Sequence, residues 1–306
     1  MELKINELAH CTLCPRACGI NRLAGERGYC GAVGEKVDIA LVSLHPWEEP
    51  CIAGENGAGT VFFSHCSLRC VFCQNSEISS EGKGIAVEVP RLAEIFLEQQ
   101  ERGAATLDLV TPTHYAPQIA EALRIAKRNG LAVPVVWNSG GYETEELIDA
   151  LDGLVDVYLP DMKYIDKESA ARYSHAEDYF ENAEKALRAM VQQTGAPKLD
   201  AEGVMQRGVL VRHLVLPGRR KESMRIIDWL WETFGDNVLL SLMNQYTPLY
   251  HAKDYKEINR TLTTFEYDSV TDHAAELGIE HCYVQEGKTA SKKFVPCFDF
   301  RGVRKC

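Results

Sequence analysis

No run of about eighteen apolar residues occurs anywhere in this chain of 306 residues, so a membrane span is not expected. Its start, Met1-Glu2-Leu3-Lys4-Ile5-Asn6-Glu7, lacks the basic and then apolar order of a secretory signal, and a cytoplasmic location is the expectation. Positive charge is in deficit: 33 Lys and Arg stand against 44 Asp and Glu, a formal net charge of −11. Binding a phosphate backbone relies on clustered cations, which argues against nucleic acid as the main partner. Small basic groups at Arg219-Arg220-Lys221, Lys292-Lys293 and 301–305 read as solvated surface, or as a place to dock an acidic electron donor such as flavodoxin or ferredoxin. Repeats and low-complexity linkers are also missing. What remains is a chain with 45% hydrophobic residues, long enough for one α/β core and an appendage.

Cysteine is plentiful, with 11 residues, and their clustering at short spacings reads as metal ligation rather than disulfide stapling. Cys66-x3-Cys70-x2-Cys73, with Phe72 just before the last, follows the apolar run Gly59 to Phe63. Three thiolates leave one iron of a [4Fe-4S] cubane open, and no fourth cysteine stands at short spacing. His65 is adjacent to Cys66, where one metal is hard to reach from both side chains. Structural zinc wants four closed ligands and fits this loop poorly. An open iron can be chelated by the amino and carboxylate groups of S-adenosylmethionine, whose sulfonium bond an electron then breaks to give a 5′-deoxyadenosyl radical.

A second group, Cys11-x2-Cys14-x3-Cys18-x11-Cys30, precedes the first, with Pro15, Gly19, Gly25, Gly28 and Gly31 supplying turns. Four thiolates so close in sequence can close a tetrahedral site for zinc, a single iron or an auxiliary iron–sulfur cluster, and spacing does not separate these. The bland alternative is a set of small buried residues. Of the remaining cysteines, Cys282 reads as a buried small hydrophobe, while Cys51, Cys297 and Cys306 could join it in a further site.

From Gly59 onward strand-like runs alternate with helical ones, the pattern of repeated βα units on a parallel sheet. Strands are expected at 60–64, 107–111, 133–137, 155–159, 208–216 and 238–242, and 37–44 reads as an alternating strand able to pair with the barrel edge. Helices are expected from Pro90 to Gly103, from Pro117 to Gly130 with Ile119, Leu123 and Ala126 on one face, and over 167–193, 224–234 and 265–277. Most of the polar motifs fall at the carboxyl ends of strands, where α/β sheets place ligands.

The Cys66 loop resembles the signature of the radical S-adenosylmethionine superfamily. The stretches Glu48-Glu49-Pro50, Val110 to Tyr115, Trp137 to Glu143, Leu159 to Tyr164, Arg212 to Gly218 and Ser241 to Tyr246 are similar to those of uncharacterised relatives of pyruvate formate-lyase activating enzyme. The likeness runs from about residue 11 to 303. It implies a partial (β/α)6 barrel over 57–280, a cysteine-rich extension over 1–56 and a strand and tail over 281–306 folding back near the barrel. It further implies a radical oxidoreductase that abstracts hydrogen from a substrate, with activation of a glycyl radical in a partner polypeptide as one use. Modification of a peptide or small molecule is an alternative, as is a non-catalytic iron–sulfur electron carrier.

By the same resemblance, Phe72 packs near the adenine, Asp161 and Lys163 match an Asp-x-Lys pattern that holds ribose hydroxyls, and His213 completes that contact. A carboxylate accepts from a diol and an ammonium donates to it. The alternatives are a core anchor for Phe72, a structural salt bridge for the pair and a satisfied core histidine for His213. Where many of these enzymes carry Gly-Gly-Glu after the second strand, this chain has Thr111-Pro112-Thr113-His114, while Gly140-Gly141-Tyr142-Glu143 comes one strand later. Thr111, Thr113 and His114 offer acceptors in place of that glutamate, and Asn138 and Ser139 are added polar contacts; Pro112 and the glycines could equally be turn chemistry.

Overall fold

The computed structural model describes residues 3–285 and 296–304. The alternating stretch forms β1 (Val37–His45), which pairs antiparallel with β2 (Ala58–Phe63) and with the short β3 (Ile85–Val87). β2 then begins a parallel series with β4 (Leu107–Val110), β5 (Val135–Ser139) and β6 (Val157–Pro160). A two-residue β7 (Lys198–Leu199) folds antiparallel onto β8 (Met205–Leu214), and β8 continues the parallel series into β9 (Leu239–Met243) and β10 (Cys282–Val284). The order β10-β9-β8-β6-β5-β4-β2-β1-β3 is that of an open, mostly parallel sheet, as expected of a partial barrel. All six expected barrel strands are present, and β10 adds a seventh parallel member.

Two short helices, α1 (Pro50–Ala53) and α2 (Ser76–Ser79), flank β2 and its following loop. The crossovers are α3 (Val89–Glu101), α4 (Ala116–Arg128), α5 (Glu145–Ala150), α6 (Lys167–Ser174), α7 (Tyr179–Thr194), α8 (Arg220–Phe234) and α9 (Thr264–Glu276). Proline near the first turn of α3 and α4 costs no internal hydrogen bond. The single helix expected over 167–193 is two. His175 adopts a left-handed conformation (φ 52°) at the end of α6 and turns the chain before α7.

Strand alternation sorts the sheet into two apolar layers. Val61, Leu109, Trp137, Tyr158, Val211 and Leu242 face the helices in the main core. Ala58, Val136, Val157, Leu159, Leu210 and Leu239 face the lumen, where α1 delivers Cys51 and Ile52 to close one end. The same period puts Asp108, Asn138, Asp161 and Arg212 on the lumen side further along their strands. The segment before β1 shares the main core through Leu3, Leu8, Leu13 and Cys30. The tail folds back as expected: Val42 and Ala40 of β1 exchange backbone hydrogen bonds with Arg301 and Phe300, and Phe298 stacks edge-on against Phe62. Lys292, Lys293 and Cys306 lie outside the described residues.

Ile52 is fully buried as part of this plug. Ile52→Ala is expected to lower stability by about 2–5 kcal/mol in denaturant titrations; a loss under about 1 kcal/mol would mean that α1 does not fill the lumen.

Candidate functional site

Immediately after β2 the chain leaves the sheet at Ser64 and turns through His65 (φ 75°) and Arg69 (φ 53°) into the loop of Cys66, Cys70 and Cys73. Non-glycine residues at positive φ are strained and persist where the surroundings fix them. Each sulfur in the loop accepts one hydrogen bond: Cys66 from Leu68 N at 3.3 Å, Cys73 from Ser79 Oγ at 3.3 Å and Cys70 from Ser174 Oγ at 2.9 Å. Burial pushes the Cys70 thiol up to about 12, with Cys66 and Cys73 adding to the rise, and burial raises Cys73 as well. A metal core would displace those protons and leave the three sulfurs as hydrogen-bonded thiolates, so the donor set fits an iron–sulfur cluster. Among the described residues no three His, Cys, Asp or Glu side chains are gathered as ligands of a single ion.

Beside this loop the lumen turns polar. Lys163 donates to Asp161 Oδ2 at 2.5 Å, and Arg212 Nε donates to Asp161 Oδ1 at 3.0 Å. The other two Arg212 nitrogens reach Glu48 at 3.3 Å and Asn138 Oδ1 at 2.6 Å. Burial opposes ionisation of Asp161, but Lys163 and Arg212 outweigh it and hold the carboxyl below its usual range. Burial likewise opposes the charge on Lys163, and Asp161 and Cys70 more than offset it. Asp108 is treated differently: burial pushes it up to about 7 despite Arg212 nearby, and its Oδ1 has no partner. Glu48 is raised well above the carboxylate range by burial and by the Asp108 charge.

Glycine is required where the loops after β5 and β6 cross. Gly141 sits at φ 76°, and a Cβ there would stand 2.2 Å from the Asp161 carbonyl oxygen. The Tyr179 hydroxyl then ties α7 to both strand ends, lying 2.9 Å from Gly140 O and 2.6 Å from Asp161 O while accepting from Lys163 N at 3.0 Å.

Of the residues expected at the site, Asp161, Lys163 and Asn138 meet in this lumen network. Thr111 holds φ 60° at the end of β4, its amide bonded to Asn138 O. Thr113 and Ser139 instead donate to Glu143, at 3.0 and 2.7 Å, and Trp137 Nε1 donates to it too, so Glu143 is a buried, fully engaged carboxylate. His114 shares a 2.8 Å hydrogen bond with Ser64 O and faces the amino-terminal cysteines. Phe72 packs edge-on against Tyr246 and Tyr173. His213 is not brought to Asp161: it points to the helix side of β8, with Nδ1 at 2.6 Å from Met162 O and Nε2 at 2.8 Å from Ser223 Oγ. Arg212, one residue earlier, takes the lumen position. Neither Arg212 nor Asp108 was singled out from sequence, although their phase with Leu210 and Asp161 on the strands carried the signal.

Cys51 lies in the lumen layer and Cys282 packs on the opposite, helix-facing layer, while Cys297 is exposed. These three do not form a group.

A strained three-thiol loop at the carboxyl end of a parallel α/β sheet, next to a buried Asp–Lys–Arg network, defines a class of cofactor-dependent α/β enzymes. Residues 60–230 match the Radical SAM superfamily, and the chain belongs to it. It is 30% identical to the uncharacterized protein MJ0674 of Methanocaldococcus jannaschii, over 92% of this chain and 79% of that protein. It is also 27% identical to the 4-hydroxy-3-methylbut-2-en-1-yl diphosphate synthase (flavodoxin) of Zymomonas mobilis, over 56% of this chain and 48% of that one, about half its length. Among solved structures, Streptococcus suis SuiB bound to precursor peptide SuiA is 12% identical with a TM-score of 0.49, covering 72% of this chain and 46% of that one. The family implies a [4Fe-4S] cluster and S-adenosylmethionine. No helix of the described residues is long and apolar enough to cross a membrane.

The raised carboxyl of Asp108 has a fixed sign. Its stabilising effect is complete below its unfolded value near 4 and is lost as pH rises through about 7. Asp108→Asn is expected to flatten the fall in denaturation free energy across that window, and an unchanged slope would show that Asp108 ionises normally in the folded protein.

Proposed function

We propose that this protein is a radical enzyme that holds a [4Fe-4S] cluster on Cys66, Cys70 and Cys73, binds S-adenosylmethionine beside it and abstracts hydrogen from an unactivated carbon. When bound, the cluster would supply the electron that breaks the sulfonium bond and yields the 5′-deoxyadenosyl radical. The observation that carries this reading is the closeness of the thiol loop to the Asp161–Lys163 pair: a Cβ placed at Gly140 would stand 2.7 Å from Leu68 of the loop and 3.6 Å from Lys163 Cε. The Lys163 charge reaches Cys70 and Cys73, so cluster and nucleotide sites would be neighbours. The backbone amide of Leu68 and the hydroxyls of Ser79 and Ser174 would orient the sulfurs and tune their basicity. Asp161 keeps acceptor capacity on both oxygens, and Lys163 keeps donors, so the pair can engage a ribose diol while Arg212 fixes the carboxylate. Phe72, Tyr173 and Tyr246 would wall the loop from water. Residues 57–280 carry this machinery, flanked by 1–56 and 281–306.

Activation of a glycyl radical on a partner polypeptide is the finer reading, resting on the likeness of the later motifs to activating enzymes. An acidic donor such as flavodoxin or ferredoxin would deliver the electron.

The test is anaerobic: reconstituted protein, dithionite and S-adenosylmethionine, with 5′-deoxyadenosine quantified by chromatography. Release of the nucleoside and a changed cluster resonance on adding S-adenosylmethionine are expected. Cys70→Ser should abolish both, while Lys163→Ala should keep the cluster and weaken nucleotide binding about tenfold or more, or roughly 1.4 kcal/mol. A cluster whose spectrum ignores S-adenosylmethionine would leave an electron carrier instead.

A further inference from the structure

The amino-terminal cysteines lie outside the machinery above, yet the chain is folded to bring all four around one cavity. Residues 11 and 19–20 pair across a small hairpin, Cys11 N to Ile20 O at 3.0 Å and Gly19 N to Cys11 O at 2.9 Å, and its tip turns at Ala17 (φ 39°). Cys30 arrives on a turn closed by Gly31 N to Gly28 O at 3.1 Å. Gly28 has a specific role there, since a Cβ would stand 3.0 Å from Cys18 Sγ. The result is one cavity lined by Cys11, Cys14, Cys18, Cys30, Arg22 and His114, with Cys14 and Cys30 buried.

Arg22 is the observation that asks for a ligand. Its side chain is fully buried at 0% exposure. Only Nη1 is partnered, donating to His114 O at 2.6 Å, and the guanidinium lies 5.7 Å from the Tyr115 ring centroid. Its Nε and Nη2 are buried with no hydrogen-bond partner. A guanidinium is permanently charged, and burying it beside four neutral thiols leaves that charge uncompensated. Losing their protons to a metal core lets the thiols supply the missing anion. Four thiolates around the two-plus core of a four-iron cluster carry two negative charges in total, and the corners of such a core accept sulfurs set further apart than the ligands of a single ion.

We infer that Cys11, Cys14, Cys18 and Cys30 hold a closed auxiliary four-iron cluster whose buried counter-ion is Arg22. The site is built into the Cys66 loop: Arg16 Nε donates to Ser67 O at 3.0 Å, Tyr29 to Leu68 O at 3.2 Å, and Arg69 Nη2 to Cys30 O at 3.1 Å. It has no open position, so it would brace that loop or pass electrons to it without binding substrate.

The experiment uses the full chain, purified anaerobically with Cys66, Cys70 and Cys73 all replaced by Ala, and counts zinc, iron and sulfide. Retention of roughly four irons with sulfide supports the site, whereas about one zinc in their place overturns the cluster. A triple variant folded by circular dichroism but free of stoichiometric metal overturns it. Should the triple variant not fold, Cys11→Ala/Cys14→Ala in the otherwise native chain must lower total metal by the same amount, and unchanged metal again overturns the site. For the counter-ion, Arg22→Gln is expected to weaken metal retention against a chelator about tenfold or more and to make the cluster's potential more negative, with Arg22→Lys restoring much of both. Identical retention and potential in Arg22→Gln would remove Arg22 from the site. Nucleoside release in the native chain reads the Cys66 loop separately, so either assignment can fail alone.

Discussion

A cation carried into the lumen on a central strand has to be matched there, and Arg212 sets the terms for everything around it. Burial opposes its charge, and Asp161, Glu49, Glu48 and Asp108 together more than restore it. Its three nitrogens hold Asp161, Glu48 and Asn138, which stand on or beside three different strands of the sheet. Removing one partner of such a buried pair typically costs about 3–5 kcal/mol, so these side chains are fixed relative to one another before any ligand arrives. Lys163 joins through the carboxylate that Arg212 already orients. The polar end of the lumen is therefore preorganised by charge, while the opposite end is closed by Cys51, Ile52 and their apolar neighbours.

The division has a backbone counterpart. Ala17, His65, Arg69, Thr111 and His175 all hold positive φ, and all lie in or against the two cysteine groups or the strand end beside them. Thr111 is the costliest of these, because a β-branched side chain is crowded in the left-handed region. Strain of this kind survives only where neighbours over-determine the chain. Here they do: Arg16 donates to the carbonyls of Ser67, Ser174 and His175, joining the amino-terminal hairpin, the thiol loop and the α6 terminus through one guanidinium. Its face also stacks over Tyr29 at 3.9 Å.

The barrel strands were legible because each is a short β-branched or apolar run bounded by turn residues, and burial on both faces of a parallel strand demands that composition. The thiol loop was legible because its ligands are local in sequence. What pattern reading missed was non-local or a matter of phase. Two helices in place of one over 167–193 followed from a non-glycine left-handed turn at His175, which carries no composition signal. His213 was placed in the site by its motif, whereas strand alternation assigns the lumen to Arg212 and the helix side to His213. Glu143 was displaced by one strand from the position where a glutamate is usual, and the structure spends its two oxygens on Trp137, Ser139 and Thr113. The buried Arg22 was invisible in a segment whose cysteines and glycines drew the eye.

Charge accounting joins the two ends of the molecule. Each cysteine group has a cation of its own, Lys163 within electrostatic reach of Cys70 and Cys73, and Arg22 within reach of Cys30. The two cations differ in how far they are already neutralised. Lys163 has Asp161 at 2.5 Å, so its loop can stand as free thiols without leaving a bare charge. Arg22 has one carbonyl oxygen and the face of an aromatic ring as its partners. A site meant to take up and release a nucleotide over an open metal position gains from a cation whose charge is balanced in both states. A closed site with no exchangeable ligand has no such need, and its cation can depend wholly on the metal-bound thiolates. The unequal pairing of Lys163 and Arg22 is thus what separate exchangeable and permanent sites would require of one fold.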